Sequence, residues 1–445
     1  MGTQILVIGA GKSATMLIQY LQKKVVENDW YMVLADSEKA VAVQKWNNAK
    51  NGHAVELNVE NEADRKALIE KATIVVSMMP AFLHFLVAKD CLLYGKPLFT
   101  ASYVDDNMRS IAQEIKDKNL LFLCEMGLDP GIDHMSAMEL IHRIKKQGGV
   151  ITGFKSHCGG LIAPESDNNP WHYKISWNPR NIILAGKSGA IFLEKGIEKE
   201  IEYKQLFASA PTIDVPGIGQ LAYYPNRNSL SYIATYDLQG VNDFVRTTLR
   251  YPEFCTGWNA IVQLGLTTET ISPSDTLRKQ NATGISVNTW FNNYLKENAL
   301  ETLYAEMQKD AALNAQLNFI GLEEETIIPA ELNNSAEILQ WLLEQKWVLA
   351  PQDKDMVVMM HEVTYTLANE HYLVQSSMVL IGQNSVETAM ATTVGLPLAM
   401  GVCAYLKGDY HLTGLHIPID ASIYTPILKS LAEEGIVFEE KVTKL

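Results

Sequence analysis

The sequence contains few cysteines, and none of them form the closely spaced pairs of metal or redox motifs. The chain of 445 residues has five scattered cysteines, Cys91, Cys124, Cys158, Cys255 and Cys403. Without a Cys-x-x-Cys pair, the sequence lacks the signature of a zinc ribbon or of a thioredoxin-like redox centre. Single cysteines in apolar surroundings are typical of reduced thiols, so we expect a cytoplasmic protein and no metal site.

Positive charge and long apolar runs are also scarce. The chain has 37 lysines and arginines against 51 aspartates and glutamates, which gives a net charge of -14. Nucleic-acid-binding proteins usually present a basic surface, so nucleic acid is not an expected partner. No uninterrupted apolar run approaches the roughly 18 residues of a membrane span, and the first predicted strand begins near Gln4. We therefore expect neither a membrane partner nor a signal peptide.

What the chain does contain is a glycine-rich turn between a strand and a helix. The β-branched run Gln4–Ile8 predicts a strand, and residues 13–24 predict an amphipathic helix. The GxGxxA segment between them includes Gly9, Gly11, Lys12, Ser13 and Ala14. Gly9 permits a tight turn, Gly11 lets the backbone approach a pyrophosphate, and Ala14 lets helix and strand pack closely. We predict dinucleotide binding here rather than a glycine-rich turn without a ligand.

An acidic residue follows the second predicted strand, at residues 31–35. Asp36 lies at the sequence distance from the glycines at which a carboxylate binds the adenosine ribose hydroxyls of NAD. The same carboxylate would repel the 2′-phosphate of NADP. NAD is therefore the expected cofactor. NADP is possible, because Ala14 is common in NADP enzymes and Lys39 is close enough in sequence to reach a phosphate.

The alternation of strands and helices continues after Asp36. Strands are predicted at 54–57, 73–77 and 98–100, and helices at 63–71 and 83–93. This alternation predicts a parallel, doubly wound sheet of the Rossmann type. Ser77 and Met78 end one of these strands. Ser102 and Tyr103 follow the next, so all four are expected at the edge of the sheet where ligands bind, although Ser102 fits a plain helix cap equally well.

A strand, a break and a helix are predicted from the phrase LLFLCEMGLDPGIDHMSAM at residues 120–138. Residues 120–124 predict a strand buried on both faces, and residues 134–144 predict a helix with Asp133 as its N-cap. Because ligands bind beyond the carboxyl ends of parallel strands, Asp129 and Asp133 are expected near the chemistry. An ordinary strand-turn-helix connection is the alternative.

Two arginines and a cysteine in the second half supply further candidates. Arg227 lies in a turn-forming phrase, and Arg246 lies on the predicted strand 244–251. A guanidinium beside a turn suits a carboxylate clamp, since it forms two parallel hydrogen bonds; a solvated surface arginine is the alternative. Cys158, in a Ser-x-Cys-Gly-Gly turn, is either a thiol at a strand end near the site or a core cysteine.

Several phrases, in this order, resemble the glutamate-forming saccharopine dehydrogenases and saccharopine reductases. They are TASY at 100–103, EMGLDPGIDH at 125–134, HCGGL at 157–161, APE at 163–165, YPNR at 224–227, TVGLP at 393–397 and the segment 423–436. The resemblance covers nearly the whole chain. Ile162 stands where the family usually has a proline, and the nucleotide loop departs from the family pattern.

This resemblance implies an oxidoreductase of lysine metabolism. It would convert its small-molecule substrate saccharopine, with NAD(P)+ and water, to L-glutamate and 2-aminoadipate 6-semialdehyde, or run in reverse, as a homodimer. The residues implied at the reacting carbon are Asp129, Tyr103 and Cys158. Those implied at the substrate are Ser102, Arg227 and Arg246. Those implied at the cofactor are Gly9, Gly11, Lys12, Ser13, Asp36, Ser77, Met78, Leu128, Asp129 and Gly131.

We therefore expect an α/β protein with a doubly wound, Rossmann-like nucleotide domain, an α+β substrate domain and a helical subdomain. The nucleotide domain is expected at 1–128, with 386–445 returning to it. The substrate domain is expected at 129–256 and 350–385, and the helical subdomain at 257–349. Two other functions fit parts of the sequence. A related imine-forming dehydrogenase, such as carboxynorspermidine dehydrogenase, would need acidic residues in place of the arginines, and a non-catalytic dinucleotide-binding sensor would need no arginine clamp.

Overall fold

The chain forms two compact units in the computed structural model, which describes residues 2–272, 275–276 and 284–445. One unit comprises the chain up to Ile151 together with Tyr365–Leu445, and the other comprises Thr152–Thr364. Both divisions fall inside or beside long strands rather than at the expected positions near 128 and 385. Helix Ile132–Lys146 belongs to the first unit, where it packs against helix Ala421–Glu433.

A parallel sheet forms the centre of the first unit. Its strands are β1 Gln4–Ile8, β2 Tyr31–Asp36, β3 Gly52–Glu56, β4 Ile74–Ser77, β5 Leu98–Thr100, β6 Leu121–Leu123 and, from the C-terminal segment, β16 Gly414–His416. Their spatial order is β16-β6-β5-β4-β1-β2-β3, and all neighbours are parallel. The change of direction around β1 and β4 confirms the predicted doubly wound, Rossmann-like sheet.

Helices flank these strands in the sequence, as a parallel sheet requires. They are Thr15–Glu27, Lys39–Trp46, Glu62–Lys71, His84–Tyr94, Asp106–Ser110, Ala112–Asp117, Ile132–Lys146, Ala389–Lys407 and Ala421–Glu433. Strands covered on both faces are mostly apolar, and every residue of β4, with the sequence IVVS, is buried. A polar or charged substitution within β4 would therefore face a covered surface on either side.

The helix Ala389–Lys407 is long and apolar enough, by length and composition only, to cross a membrane, but 78% of its apolar window is buried inside the structure. Buried core helices pass the same test. Gly395 brings this helix close to the helix Thr15–Glu27, because a Cβ atom at Gly395 would lie 2.7 Å from the backbone nitrogen of Leu17. Its small residues therefore set the packing distance between the two helices.

The second unit is built on a mixed sheet. Its strands are β7 Val150–Ile162, β8 Ala190–Glu194, β9 Ile197–Ile201, β10 Thr212–Val215, β11 Gly219–Pro225, β12 Arg227–Asn228, β13 Asp243–Arg250 and β14 Asp355–Leu367. Their order is β10-β11-β13-β7-β14, with β8 pairing β9, β12 and β13 off this path. In the first unit, β15 Glu370–Ile381 pairs antiparallel with β17 Glu439–Lys444.

Helices of the second unit share a hydrophobic core with its earlier residues. The helices are Arg180–Leu184, Ser231–Thr235, Pro252–Gln263, Val287–Glu297, Glu301–Met307, Ala311–Ile320 and Ser335–Lys346. Trp171 and Tyr173 are buried in one cluster with Trp258 and Trp347. The ring centres of Trp171 and Trp347 are 5.2 Å apart, and the ring planes are inclined at 64°. The predicted helical segment is thus packed around aromatic side chains that precede it in the sequence.

Candidate active site

The glycine loop joins β1 to the helix Thr15–Glu27 through a 3-10 turn, Lys12–Ala14. Gly9 has a φ of 104°, and a Cβ atom there would lie 2.8 Å from the carbonyl oxygen of Met78. Only glycine fits this position without strain. A Cβ at Gly11 would meet no atom within 4 Å, so the backbone there borders open space. These are the features that a cradle for a dinucleotide pyrophosphate requires.

Asp36 is the last residue of β2, and its carboxylate accepts a hydrogen bond from the glycine loop. The amide of Ala10 donates to Oδ2 at 2.7 Å, and the amide of Glu38 donates to Oδ1 at 2.9 Å. Each oxygen of the carboxylate therefore already accepts one backbone hydrogen bond. The side chain is directed back to the loop that carries Gly9 and Gly11.

Lys45 brings a positive charge to the same loop. From the helix Lys39–Trp46 its ammonium donates to the carbonyl oxygen of Gly11 and, at 2.8 Å, to Thr15 Oγ1. Burial lowers the pKa of Lys45 to about 8, against the opposing effect of the Asp36 charge. Lys39, the lysine considered from the sequence, is exposed. Lys45 was missed because no local motif connects a lysine so far along this helix with the glycine loop.

A buried histidine joins the ends of β4 and β5. His84 Nδ1 lies 2.8 Å from Ser77 Oγ, and His84 Nε2 lies 2.6 Å from Ser102 Oγ. Ser77 ends β4 and is paired with Thr100 at the end of the parallel neighbour β5. Burial lowers the pKa of His84 to about 4, and the charge of Asp105 opposes this only in part. The imidazole is therefore neutral at physiological pH. His84 was not among the predicted site residues.

Tyr103 and Asp129, both expected at the reacting carbon, are in contact. The phenol of Tyr103 donates to Asp129 Oδ1 at 2.9 Å. They follow β5 and β6, which are parallel neighbours, so the two side chains meet at the carboxyl edge of the sheet. The Asp129–Pro130 peptide is cis, and Leu128 beside it is buried.

A buried carboxylate holds the segments that carry Tyr103 and Asp129. Glu125 Oε1 accepts the amide of Val104 at 3.0 Å, and Glu125 Oε2 lies 2.7 Å from His134 Nε2. Glu125 and His134 are almost fully buried. The chain after β5 is thus fastened to the helix Ile132–Lys146 across the turn that contains Asp129. Both residues belong to the phrase EMGLDPGIDH, but the sequence did not indicate their pairing.

The prediction that Asp133 is the N-cap of its helix is wrong. The helix begins at Ile132, and its N-cap is Gly131, with a φ of 148°. Asp133 lies inside the first turn, where Oδ1 accepts the amide of Gly131 at 2.6 Å. The physical reason is that Gly131 adopts a backbone conformation open mainly to glycine, so the helix begins directly after it. The Asp133 side chain then lies inside the helix and accepts the amide of Gly131.

In the second unit, the register of β7 and β13 places Cys158 and Arg246 on one face of the sheet. Ser156 is opposite Arg246, and Cys158 is opposite Thr248. Alternate residues of a strand share a face, so Arg250 lies there too. Cys158 and both arginines are buried. Arg227, in contrast, lies on the short strand β12 and is exposed. Its φ is 52°.

Aromatic rings surround the two buried guanidinium groups. The Arg246 guanidinium carbon lies 4.4 Å from the centre of the Tyr232 ring. That of Arg250 lies 5.4 Å from the Tyr173 ring and 5.3 Å from the Phe254 ring. Ring faces stabilise a cation and fix its plane. The roles assigned to Cys158, Arg227 and Arg246 stay predictions.

All five cysteines are buried, and none of them is in a disulfide bond. Across residues 2–272, 275–276 and 284–445, no group of three or more His, Cys, Asp or Glu is arranged to hold a metal ion.

A parallel sheet with a glycine loop and polar side chains along its carboxyl edge defines a dinucleotide-binding α/β protein. Residues 5–123 match the model of the saccharopine dehydrogenase NADP binding domain, and residues 127–436 match that of the saccharopine dehydrogenase C-terminal domain. The chain belongs to the saccharopine dehydrogenase family.

Known proteins are similar over nearly all of the chain. It is 30% identical to the alpha-aminoadipic semialdehyde synthase of Mus musculus over 99% of its own length and 48% of that protein. The chain thus spans about half the length of the first curated relatives it matches. It is also 30% identical to the NADP(+), L-glutamate-forming saccharopine dehydrogenase of Schizosaccharomyces pombe, over 98% of each chain. The apo structure of saccharopine dehydrogenase (L-Glu forming) from Saccharomyces cerevisiae matches with a TM-score of 0.88 and 27% identity, over 99% of this chain and 100% of that one.

Proposed function

We propose that this chain oxidises saccharopine, with a nicotinamide dinucleotide and water, to L-glutamate and 2-aminoadipate 6-semialdehyde, or catalyses the reverse reaction. The observation that carries the proposal is the hydrogen bond between Tyr103 and Asp129 at the carboxyl edge of the sheet. Ligands of open parallel sheets bind at this edge. The residues belong to TASY and EMGLDPGIDH, two of the phrases that resemble the family.

The reaction removes a hydride from the carbon beside the secondary amine of saccharopine, and water then attacks the resulting imine. The glycine loop with Gly9 and Gly11 would hold the nicotinamide dinucleotide, which would supply the hydride acceptor. Tyr103 orients the Asp129 carboxylate through its hydrogen bond. A carboxylate so oriented holds the amine or the attacking water in one position, and such positioning contributes strongly to catalysis. Protons are carried by the substrate amine and by water, so neither residue is an indispensable acid or base.

Saccharopine carries three carboxylates, which a chain with a net charge of -14 must meet with local cations. We propose that Arg227 and Arg246 bind two of them. The Tyr232 ring limits the orientations of the Arg246 guanidinium, which reduces the entropy lost when it binds a carboxylate. Such paired, charge-assisted hydrogen bonds are about twice as strong as neutral ones.

We propose NADP as the preferred cofactor, in place of the NAD expected from Asp36. Two observations support this choice. Asp36 already accepts the amides of Ala10 and Glu38, so its charge is partly compensated by the loop. Lys45 holds an ammonium at the Gly11 carbonyl, close enough to Asp36 for their charges to interact. The names of the fungal relatives specify NADP as well.

One assay tests the proposal. Purified protein is mixed with saccharopine and either NADP+ or NAD+, and the absorbance of the reduced nicotinamide is followed. We expect turnover with saccharopine and a higher kcat/KM with NADP+. Turnover of carboxynorspermidine alone would assign the chain to another imine-forming dehydrogenase. Dinucleotide binding without any turnover would instead indicate a sensor. The cytoplasmic location and the homodimer stay predictions.

A further inference from the structure

A neutral imidazole lies between two serine hydroxyls in the first unit. His84 is 5% exposed, with Ser77 Oγ at 2.8 Å from Nδ1 and Ser102 Oγ at 2.6 Å from Nε2. Thr100 Oγ1 is 3.5 Å from the same Nε2 and accepts the amide of Ser102 at 3.2 Å. A neutral imidazole carries one proton, so one ring nitrogen donates and the other accepts. Ser77, His84 and Ser102 therefore form a chain of hydrogen bonds, and the donors in this chain all point the same way.

Only one end of this chain is accessible to a ligand. Ser77 is fully buried, whereas Ser102 is partly exposed. Ser102 is expected at the substrate, whose carboxylates only accept hydrogen bonds. A carboxylate is therefore satisfied in one direction only. Nε2–H must donate to Ser102 Oγ, so that the Ser102 proton is available to a carboxylate. Nδ1 then accepts the Ser77 proton.

We propose that His84 is a positioning residue that, as the Nε2–H tautomer, holds Ser102 as a donor to a substrate carboxylate. This inference rests on the proposed function for the identity of the ligand. Burial keeps the pKa of His84 low, at about 4, so the imidazole acts through its tautomer and not through a charge. His84 itself does not touch the ligand in this arrangement, because Ser102 lies between them.

Two amide variants separate the two bonds. The side-chain amide of Asn occupies roughly the place of Nδ1, and that of Gln roughly the place of Nε2. His84→Asn therefore keeps a partner for Ser77 only, whereas His84→Gln keeps a partner for Ser102 only. We expect His84→Asn to raise KM for saccharopine by about tenfold or more, with the Kd of the cofactor nearly unchanged. We expect a clearly smaller rise in KM for His84→Gln, because this variant keeps the partner of Ser102.

Ser102→Ala is the matched control for the substrate end. It should resemble His84→Asn, and the double variant Ser102→Ala/His84→Asn should be no worse than Ser102→Ala alone, because both changes remove the same interaction. A merely structural His84 would give equal losses of both ligands in the Asn and Gln variants, together with a lower Tm. That result, or additive losses in the double variant, would overturn the proposal.

The tautomer is measured without any turnover. Nitrogen NMR of protein labelled at histidine distinguishes a protonated from a bare ring nitrogen, and the signal missing from His84→Gln assigns the residue. We expect a proton on Nε2 and none on Nδ1. A proton on Nδ1 would overturn the inference even if saccharopine is oxidised. A wild-type protein that fails to oxidise saccharopine, yet shows the Nε2–H tautomer, would refute the proposed function and leave the directed chain established.

Discussion

Tyr103 and Asp129 are joined by a hydrogen bond of 2.9 Å although they follow different strands of the sheet. Parallel neighbours end at the same edge, so residues far apart in sequence meet there. Each residue belongs to a phrase that resembles the family, and the bond brings these two phrases into contact at that edge. It also makes the two side chains interdependent, because removing one changes the orientation of the other.

Loss of either member of this pair should slow turnover without abolishing it. For Asp129→Ala and Tyr103→Phe we expect kcat to fall by roughly ten- to a thousandfold, within or below the range of general acid-base catalysis. Because the residues share one bond, the double variant should lose less than the product of the single losses. Steady-state kinetics of the three variants decides this. Complete inactivity of Asp129→Ala with normal ligand binding would show that Asp129 is an indispensable proton carrier.

Arg227→Ala should weaken saccharopine binding and leave the cofactor unaffected. We expect KM for saccharopine to rise by an amount equivalent to about 2 kcal/mol, the value of a lost charge-assisted pair. Arg180→Ala is the control, since Arg180 pairs only with Glu269 in a partly exposed ion pair among the described contacts. Equal weakening of both ligands by Arg227→Ala would indicate a folding defect or a contact with a cofactor phosphate.

Lys45 should determine the preference for NADP. We expect Lys45→Met to lower kcat/KM for NADP+ much more than for NAD+, because only NADP carries a 2′-phosphate for the ammonium to meet. Lys39→Met, a change on the exposed side of the same helix, should leave the ratio unchanged. Asp36→Ser should raise the ratio further. A wild type that prefers NAD+ would restore Asp36 as the decisive residue.

The same lysine gives the cofactor preference a dependence on pH. In the cofactor-free protein its pKa is lowered to about 8, so its charge is lost as the pH rises through that value. A phosphate dianion attracts only the charged form. The ratio of NADP+ to NAD+ specificity constants should therefore fall between about pH 7 and pH 9, and the fall should be absent in Lys45→Met. A constant ratio in the wild type would contradict the assignment.

The strands and turns that were predicted correctly are those whose conformation depends on a short stretch of sequence. The strand Gln4–Ile8 and the strand at 98–100 have the predicted bounds, because short β-branched or apolar runs between turns leave few alternatives. The glycine loop was predicted for the same reason. The predicted N-cap of the helix after β6, Asp133, was wrong by two residues. The conformation of Gly131, the actual N-cap, depends on the folded turn around it.

The contacts that complete the site depend instead on which strands become neighbours. His84 reaches Ser102 only because β4 and β5 are adjacent and parallel. Lys45 reaches the glycine loop only because its helix packs beside the one that the loop opens. Neither arrangement has a fixed spacing in sequence. A single histidine or lysine on a helix therefore gave no basis for assigning it to the site.

The close approach at Gly395 predicts a selective loss of stability. In Gly395→Ala the new Cβ would lie 2.7 Å from the Leu17 backbone, which cannot move alone, so we expect a loss of about 1–3 kcal/mol. Gly401→Ala, in the same helix, is the control. Its Cβ would come too close to the terminal methyl of Met126, at 2.6 Å, but that flexible side chain can turn aside, and the contacts with Ile427 at 3.6 Å and Tyr410 at 3.8 Å are ordinary van der Waals contacts. Denaturant unfolding compares the two. Similar losses would mean that helix propensity or strain elsewhere dominates.

The pairing of β16 with β6 has a consequence for biosynthesis. Residues 414–416 complete the sheet that residues 4–8 begin, and the whole second unit is synthesised between β6 and β16. Until the C-terminal segment leaves the ribosome, β6 has an unpaired edge of the kind that promotes association with other chains. Co-translational folding can therefore finish the second unit before the first. The nascent nucleotide-binding unit must be kept from aggregating while residues 124–413 are synthesised.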